Sequence, residues 1–96
     1  MKIRIVAVGK LKEKYLREGV AEYAKRLAPF ASVELLETRE EYMAENPSEA
    51  QRQQTLAKEG GRLLRLVPEK SFLIVLDVKG KLLSSEALAK ELASRA

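Results

Sequence analysis

Basic side chains follow the first apolar run of the sequence, and they are the groups that most readily suggest a chemical role. Two interpretations are open for them. They could form an ordinary solvated helix face, or they could contact the phosphates of a structured RNA, where Lys and Arg supply affinity rather than sequence choice. The net charge of +4 on 96 residues is mild and does not decide between the two. The residues are Lys10, Lys12, Lys14, Arg17, Lys25 and Arg26.

The Gly9-Lys10 pair after the first apolar run suggests a phosphate-binding loop, but its surroundings do not fit one. A P-loop needs a glycine five residues before the Gly-Lys pair and Ser or Thr after the lysine. Arg4 and Leu11 occupy those two positions. The sequence also lacks a Gly-x-Gly-x-x-Gly run, so it predicts neither a P-loop nor a dinucleotide fingerprint.

Carboxylates that could take part in ligand binding are found in two places. Asp77, the sole aspartate, directly follows the third apolar run, and ligands bind at the carboxyl ends of strands in open α/β sheets. The alternative is that Asp77 only opens a turn to Gly80. A second group is most simply a solvated loop, since nothing in it imposes the octahedral geometry of Mg²⁺. Its members are Glu37, Glu40, Glu41 and Glu45.

The composition excludes several kinds of chemistry. Without cysteine or histidine, the chain has no disulfide framework, thiolate or imidazole metal site, or imidazole base. We assign no catalytic residue and no metal ligand. Tyr15 and Tyr23 are expected on a buried stripe, which leaves Tyr42 as the free aromatic residue. The apolar runs are too short for a signal peptide or a membrane span, so we expect a soluble, cytoplasmic protein.

The elements that would position these residues alternate between strands and helices. A change from continuous apolar runs to a helical period marks each boundary, and prolines 29 and 68 end two of the helices. Ser48 and Gln51 have the spacing of a capping box, and Gly60-Gly61 predicts a kink or a close packing contact. The predicted strands are 3–8, 33–36 and 72–76, and the helices start near Leu11, after Ser48, and at Ser84 or Ser85.

Apolar strands that alternate with amphipathic helices predict an α/β fold. The strands should form a parallel sheet with helices on both faces, because the first and third strands are apolar on both of their sides. The helices should bury apolar stripes against that sheet. The last stripe consists of Leu88, Ala89, Leu92 and Ala93.

Two stretches resemble the RlmH family of the SPOUT superfamily, which methylates a pseudouridine of large-subunit ribosomal RNA. The first runs from Met1 to Leu27 and contains Val-Gly-Lys-Leu-Lys-Glu-Lys-Tyr. The second runs from Phe72 to Leu88 and contains Leu-Asp-Val-Lys-Gly-Lys-Leu-Leu-Ser-Ser-Glu. The Glu59-Gly60-Gly61-Arg62 segment resembles the family's Glu-Gly segment. The resemblance therefore covers essentially the whole chain, in the right order and spacing.

The resemblance implies a SPOUT-like fold, S-adenosyl-L-methionine as methyl donor, ribosomal RNA as substrate and a homodimer. Residues 1–96 would be the N-terminal part of a single methyltransferase domain without its C-terminal knot region. Of the family's cofactor-contacting positions only Leu76 is present, so the chain alone is expected to be inactive. The alternative is a non-catalytic α/β module that binds ribosomal RNA or a protein partner.

Overall fold

The computed structural model describes residues 1–95 and contains two strands and three helices in the order β1-α1-β2-α2-α3. No helix in this part of the chain is long and apolar enough to cross a membrane. The elements are β1 (Lys2–Val8), α1 (Lys14–Leu27), β2 (Ser32–Thr38), α2 (Glu49–Arg65) and α3 (Ser85–Arg95).

Strands β1 and β2 pair in parallel, with Lys2 opposite Ser32 and Val8 opposite Thr38. Successive side chains of a strand point to opposite faces. Ile5 lines an apolar groove with α1, whereas the neighbouring Arg4 donates from its guanidinium to the carbonyl oxygen of Leu66 at the end of α2, at 3.0 Å. The two helices therefore lie on opposite faces of the sheet. The predicted α/β fold, with a parallel sheet and helices on both faces, is confirmed.

The helix boundaries follow from local hydrogen bonds. The predicted capping box is present: the N–H of Gln51 donates to the Ser48 hydroxyl at 3.1 Å, and the Gln51 side chain accepts from the Ser48 N–H at 2.8 Å. Helix α1 begins at Lys14 rather than at Leu11. The N–H of Leu11 donates to the Glu37 carboxylate of β2 at 3.1 Å, and this contact holds the preceding loop outside the helix.

The predicted third strand is not formed. Residues 72–76 carry no strand, and their backbone groups make no ladder hydrogen bond within the described residues. An apolar run becomes a strand only when a neighbouring edge accepts its N–H and C=O groups. Neither β1 nor β2 pairs with this run, and its side chains are exposed.

The chain leaves far more surface exposed than a compact protein of its size. Its accessible surface is 8635 Å², against about 5,500 Å² for a folded monomer of this mass. The radius of gyration is 15.8 Å, against about 12.5 Å for a compact domain of 96 residues. Among the described residues, the buried apolar core consists of Ala31 alone. Much apolar surface therefore remains uncovered.

The predicted buried stripes of α1 and α3 are largely exposed. Helix α1 contains no buried residue, and α3 contacts none of the other described helices and strands. A two-stranded sheet is only about 10 Å wide, roughly one helix diameter, and cannot cover a whole helix face. Gly60 and Gly61 lie inside an uninterrupted α2, and a Cβ added at either would meet nothing within 4 Å. The close packing contact predicted there is absent from the described residues.

Candidate functional site

The loops that follow β1 and β2 lie side by side at the carboxyl ends of these strands. Contacts with β2 and with the loop after it hold the loop after β1 in place. Gly9 follows β1 with a φ of +84°, a left-handed conformation that favours glycine, and its N–H donates to the carbonyl oxygen of Thr38 at 2.7 Å. The Glu40 carboxylate lies against Gly9 where a Cβ would stand, because its Oε1 is 2.6 Å from that position. A larger residue at position 9 would displace Glu40 and strain the backbone.

Glu41 joins the loop after β2 to helix α2. Its carboxylate accepts from the Arg62 guanidinium at 2.6 Å, and the Lys58 ammonium lies 3.7 Å away. The Glu41 N–H also donates to the Glu59 carboxylate at 3.0 Å. The hydrogen bond from Arg62 lowers the pKa of Glu41 below its usual value of 4.5, and the positive charges of Arg62, Lys58 and Arg39 act in the same direction. These contacts connect the end of β2 to the middle of α2.

The acidic run is a solvated loop only in part. Glu37 lies in β2 and Glu41 is half-buried against α2, whereas Glu40 and Glu45 are exposed in the loop that follows β2. Sequence reasoning also missed Arg62, because an ion pair across 21 positions leaves no periodic signal. In the described part of the chain, no cluster of three acidic side chains is placed to hold a metal ion.

The basic residues around the start of α1 are exposed, as either interpretation of them requires. Lys14 lies 3.8 Å from Glu18 one helical turn on, and Arg26 pairs with Glu22 at 3.1 Å. Within residues 1–95, Lys10, Lys12 and Arg17 form no ion pair. Their charges therefore point into solvent without a partner from this region.

Two tyrosines of α1 do not lie where the helical period placed them. Tyr15 is 70% exposed and Tyr23 is 65% exposed, so the prediction that both are buried is wrong. Tyr23 lines the apolar groove between α1 and the sheet, and the Arg26 guanidinium lies 5.4 Å from its ring centre. Tyr42 is exposed, as predicted.

The segment from Val75 to Lys81 lines a shallow, open depression. Asp77 accepts from the N–H of Lys79 at 2.8 Å through its side chain and from the N–H of Gly80 at 2.9 Å through its carbonyl. The turn therefore accounts for Asp77, which favours the simpler of its two interpretations. Leu76 precedes the turn and is 91% exposed, so it is not at the end of a paired strand.

The charged side chains of this region differ in whether they already have partners. Glu37 and Glu41, next to the loop, accept hydrogen bonds from Leu11 and Arg62. The basic groups without an ion-pair partner suit contacts with anions. The depression at Val75–Lys81 has apolar side chains next to backbone groups that are not hydrogen-bonded to a neighbouring strand. The chain thus exposes basic side chains on one stretch and apolar side chains on another.

Comparison with known proteins places these features in a family. The family model described as "Predicted SPOUT methyltransferase" matches residues 1–96. The chain is 48% identical over 92 residues to the Ribosomal RNA large subunit methyltransferase H of Leuconostoc citreum, covering 96% of the chain and 58% of that protein. It is 52% identical over 89 residues to the protein of the same name from Carboxydothermus hydrogenoformans, covering 93% and 56%. The chain therefore spans somewhat over half the length of these relatives.

Proposed function

The chain belongs to the SPOUT methyltransferase family, and from this membership we propose that the protein methylates a pseudouridine of large-subunit ribosomal RNA with S-adenosyl-L-methionine as the methyl donor. The observation that carries the proposal is the identity of about half the residues, over nearly the whole chain, to two ribosomal RNA large subunit methyltransferases. The exposed basic residues of the β1–α1 region are consistent with a polyanionic substrate.

Leu76 is the residue that we propose to contact the methyl donor. An adenosine group presents an apolar face and hydrogen-bonding edges. The segment Val75–Lys81 offers the apolar side chains of Val75, Leu76 and Val78. Beside them are backbone N–H and C=O groups that are not hydrogen-bonded to a neighbouring strand. This chemistry fits one side of an adenosine. The remaining contacts would have to come from other parts of the protein, because no other segment among the described residues lines the depression.

The donor, when bound, supplies a methyl group that is already electrophilic on its sulfonium. The protein then has to align that methyl with the acceptor nitrogen and let the nitrogen's proton leave. The hydrogen bonds of the turn at Asp77–Gly80 fix the direction of the backbone after Leu76. The turn would therefore orient the segment Val75–Lys81 towards the bound donor. We assign no base to this chain; Glu37 and Glu41, near the strand ends, already accept hydrogen bonds.

A homodimer and a cytoplasmic location complete the proposal. An accessible surface of 8635 Å², well above that of a compact monomer, leaves apolar area that a second subunit would cover. An enzyme that modifies ribosomal RNA works where ribosomes are assembled, which is the cytoplasm in bacteria. Sedimentation equilibrium of the protein as it occurs in the cell should give twice the mass of the polypeptide, and a monomeric mass would contradict the homodimer.

The activity is tested with radiolabelled S-adenosyl-L-methionine and purified large ribosomal subunits. Methyl incorporation, followed by nuclease digestion and mass spectrometry, should place the label on a pseudouridine. A folded protein that binds the subunits but transfers no methyl group would overturn the enzyme and support the non-catalytic module instead. Label on another nucleotide would retain the methyltransferase and correct the substrate.

The role of Leu76 is tested separately with Leu76→Glu. A carboxylate in an apolar contact with adenosine should weaken donor binding at least about tenfold, because a charge would be buried without a partner. Leu64→Glu is the matched control, since Leu64 is also exposed but lies on α2, away from this segment. Isothermal titration with the donor gives both affinities, and equal affinities would remove Leu76 from the site.

A further inference from the structure

We propose that the loop between β1 and α1, together with the first turn of α1, is a docking surface for an unpaired segment of the substrate RNA. Lys10, Lys12 and Arg17 would contact phosphates, and Tyr15 would stack on a base. This inference rests on the proposed function, since it assigns residues to substrate contact, and it is independent of where the methyl donor binds.

Positive charge is concentrated in this stretch. Residues 10–17 contain four basic residues and one glutamate, a net charge of +3, whereas the whole chain carries +4. Lys14 forms an ion pair with Glu18, but Lys10, Lys12 and Arg17 have no acidic partner within residues 1–95. An ordinary solvated face tends to mix both signs, as Glu22 and Arg26 do further along the helix. The excess favours an anionic partner.

The loop that carries these charges is held in place. The N–H groups of Gly9 and Leu11 donate to Thr38 and Glu37 of β2, on either side of Lys10. Leu11 is half-buried while Lys10 and Lys12 are exposed. The chain entropy of the loop backbone is therefore largely lost on folding rather than on binding, and this preorganisation favours affinity.

Tyr15 distinguishes RNA from a purely electrostatic partner. Its ring is 70% exposed, it is not among the residues lining the apolar groove, and no guanidinium lies over it in the described region. Tyr23, by contrast, lines the groove and has Arg26 over its ring. Single-stranded nucleic acids bind exposed cations through their phosphates and an exposed aromatic ring through a base, and this stretch of the chain offers both.

The charge contribution is tested in the protein as it occurs in the cell, with purified large ribosomal subunits as the probe. The variant Lys10→Gln/Lys12→Gln/Arg17→Gln should weaken binding at least about tenfold at 0.1 M salt and make the slope of log affinity against log salt shallower by about 2. The control Arg52→Gln/Lys70→Gln/Lys90→Gln removes the same charge from exposed positions elsewhere. This control variant should change the salt slope by less than about half of the change expected for Lys10→Gln/Lys12→Gln/Arg17→Gln.

The stacking contribution is tested with Tyr15→Ala and Tyr15→Phe. Loss of the ring should weaken binding by about 5- to 150-fold, with no change of salt slope, whereas phenylalanine should keep wild-type affinity. Circular dichroism of each variant checks that α1 is retained. Equal losses in Tyr15→Ala and Tyr15→Phe would overturn the stacking role.

The outcomes separate this inference from the proposed function. If the wild-type protein methylates the subunits but the two triple variants have equal salt slopes, the docking surface is overturned and the proposed function is retained. If the variant Lys10→Gln/Lys12→Gln/Arg17→Gln loses binding to the subunits but not to protein-free ribosomal RNA, the surface contacts a ribosomal protein. That result would also overturn the proposed RNA docking surface. A wild-type protein that neither binds nor methylates the subunits would overturn the proposed function itself.

Discussion

Two regions of the chain have similar sequence patterns and different structures. The first region is residues 2–67, where β1, α1, β2 and α2 are joined by a parallel ladder, by Arg4 to Leu66 and by Glu41 to Arg62. The second region is residues 68–95, which holds an equally apolar run and an amphipathic helix. In the second region the run is unpaired and α3 contacts none of the other helices and strands.

The difference shows that an apolar run needs a partner more than it needs β propensity. Residues 72–76 are apolar throughout and residues 3–8 are apolar except for Arg4, yet only the latter meet a neighbouring strand. The Arg95 guanidinium of α3 lies 3.9 Å from the ring centre of Phe72 in this run. A cation–π contact at an exposed site contributes about 0.5 to 1 kcal/mol, which is small against the entropy lost when a segment becomes ordered.

The largest expected difference between the regions is in hydrogen exchange. Ladder amides of β1 and β2 should exchange on the order of a thousandfold more slowly than the amides of residues 72–76, which corresponds to an opening free energy of about 4 kcal/mol. Mass spectrometry of exchanged peptides from the 96-residue chain measures both. Comparable protection in residues 72–76 would show that the run finds a partner in solution and would remove the contrast.

A pair of valine truncations compares side-chain packing in the two regions. Val6→Ala removes methyl groups from a half-buried position on the paired strand and should lower the free energy of unfolding by about 1 to 2 kcal/mol. Val75 is 70% exposed, so Val75→Ala should change it by less than about 0.5 kcal/mol. Urea denaturation followed by circular dichroism gives both values. Equal effects would contradict the exposed position of Val75.

The two serine caps make the same bond in the two regions. The hydroxyl of Ser48 accepts from Gln51 at the start of α2, and that of Ser84 accepts from the N–H of Ala87 at 3.0 Å at the start of α3. Ser48→Ala should lower the free energy of unfolding by about 1 kcal/mol. Ser84→Ala should reduce helicity locally and leave the main transition in place, because α3 does not pack on the sheet. A shared loss in the main transition would show that α3 folds together with the first region.

The smallest effect concerns pH and Glu41. Because Arg62 lowers the pKa of Glu41 in the folded state, the stabilisation is complete above the unfolded value of 4.5 and is lost as the pH falls through the lower, folded value. The stability difference between wild type and Glu41→Gln should therefore be constant near neutral pH and shrink below about pH 4.5. Glu86→Gln, on α3, removes no ion pair found among residues 1–95 and serves as control. A constant difference down to the acid transition would contradict the ion pair.

Local signals in the sequence predicted most of the first region. The apolar run at 3–8, the capping box at Ser48 and Gln51, and the alternation of strands and helices all appear in the structure, and each has a pattern that spans only a few neighbouring positions. The family was also predicted, because its motifs are contiguous and nearly half of all positions are identical in the relatives. The role of Leu76 stays a prediction.

Contacts between distant positions were decided by the tertiary structure alone. The Glu41–Arg62 pair and the Leu11–Glu37 hydrogen bond join residues more than 20 positions apart, and composition carries no record of such partners. Burial was decided in the same way. A helical period states which side chains share a face, but exposure of Tyr15 and Leu76 depends on whether another surface reaches them, and the hydrophobic contribution arises only when water is excluded.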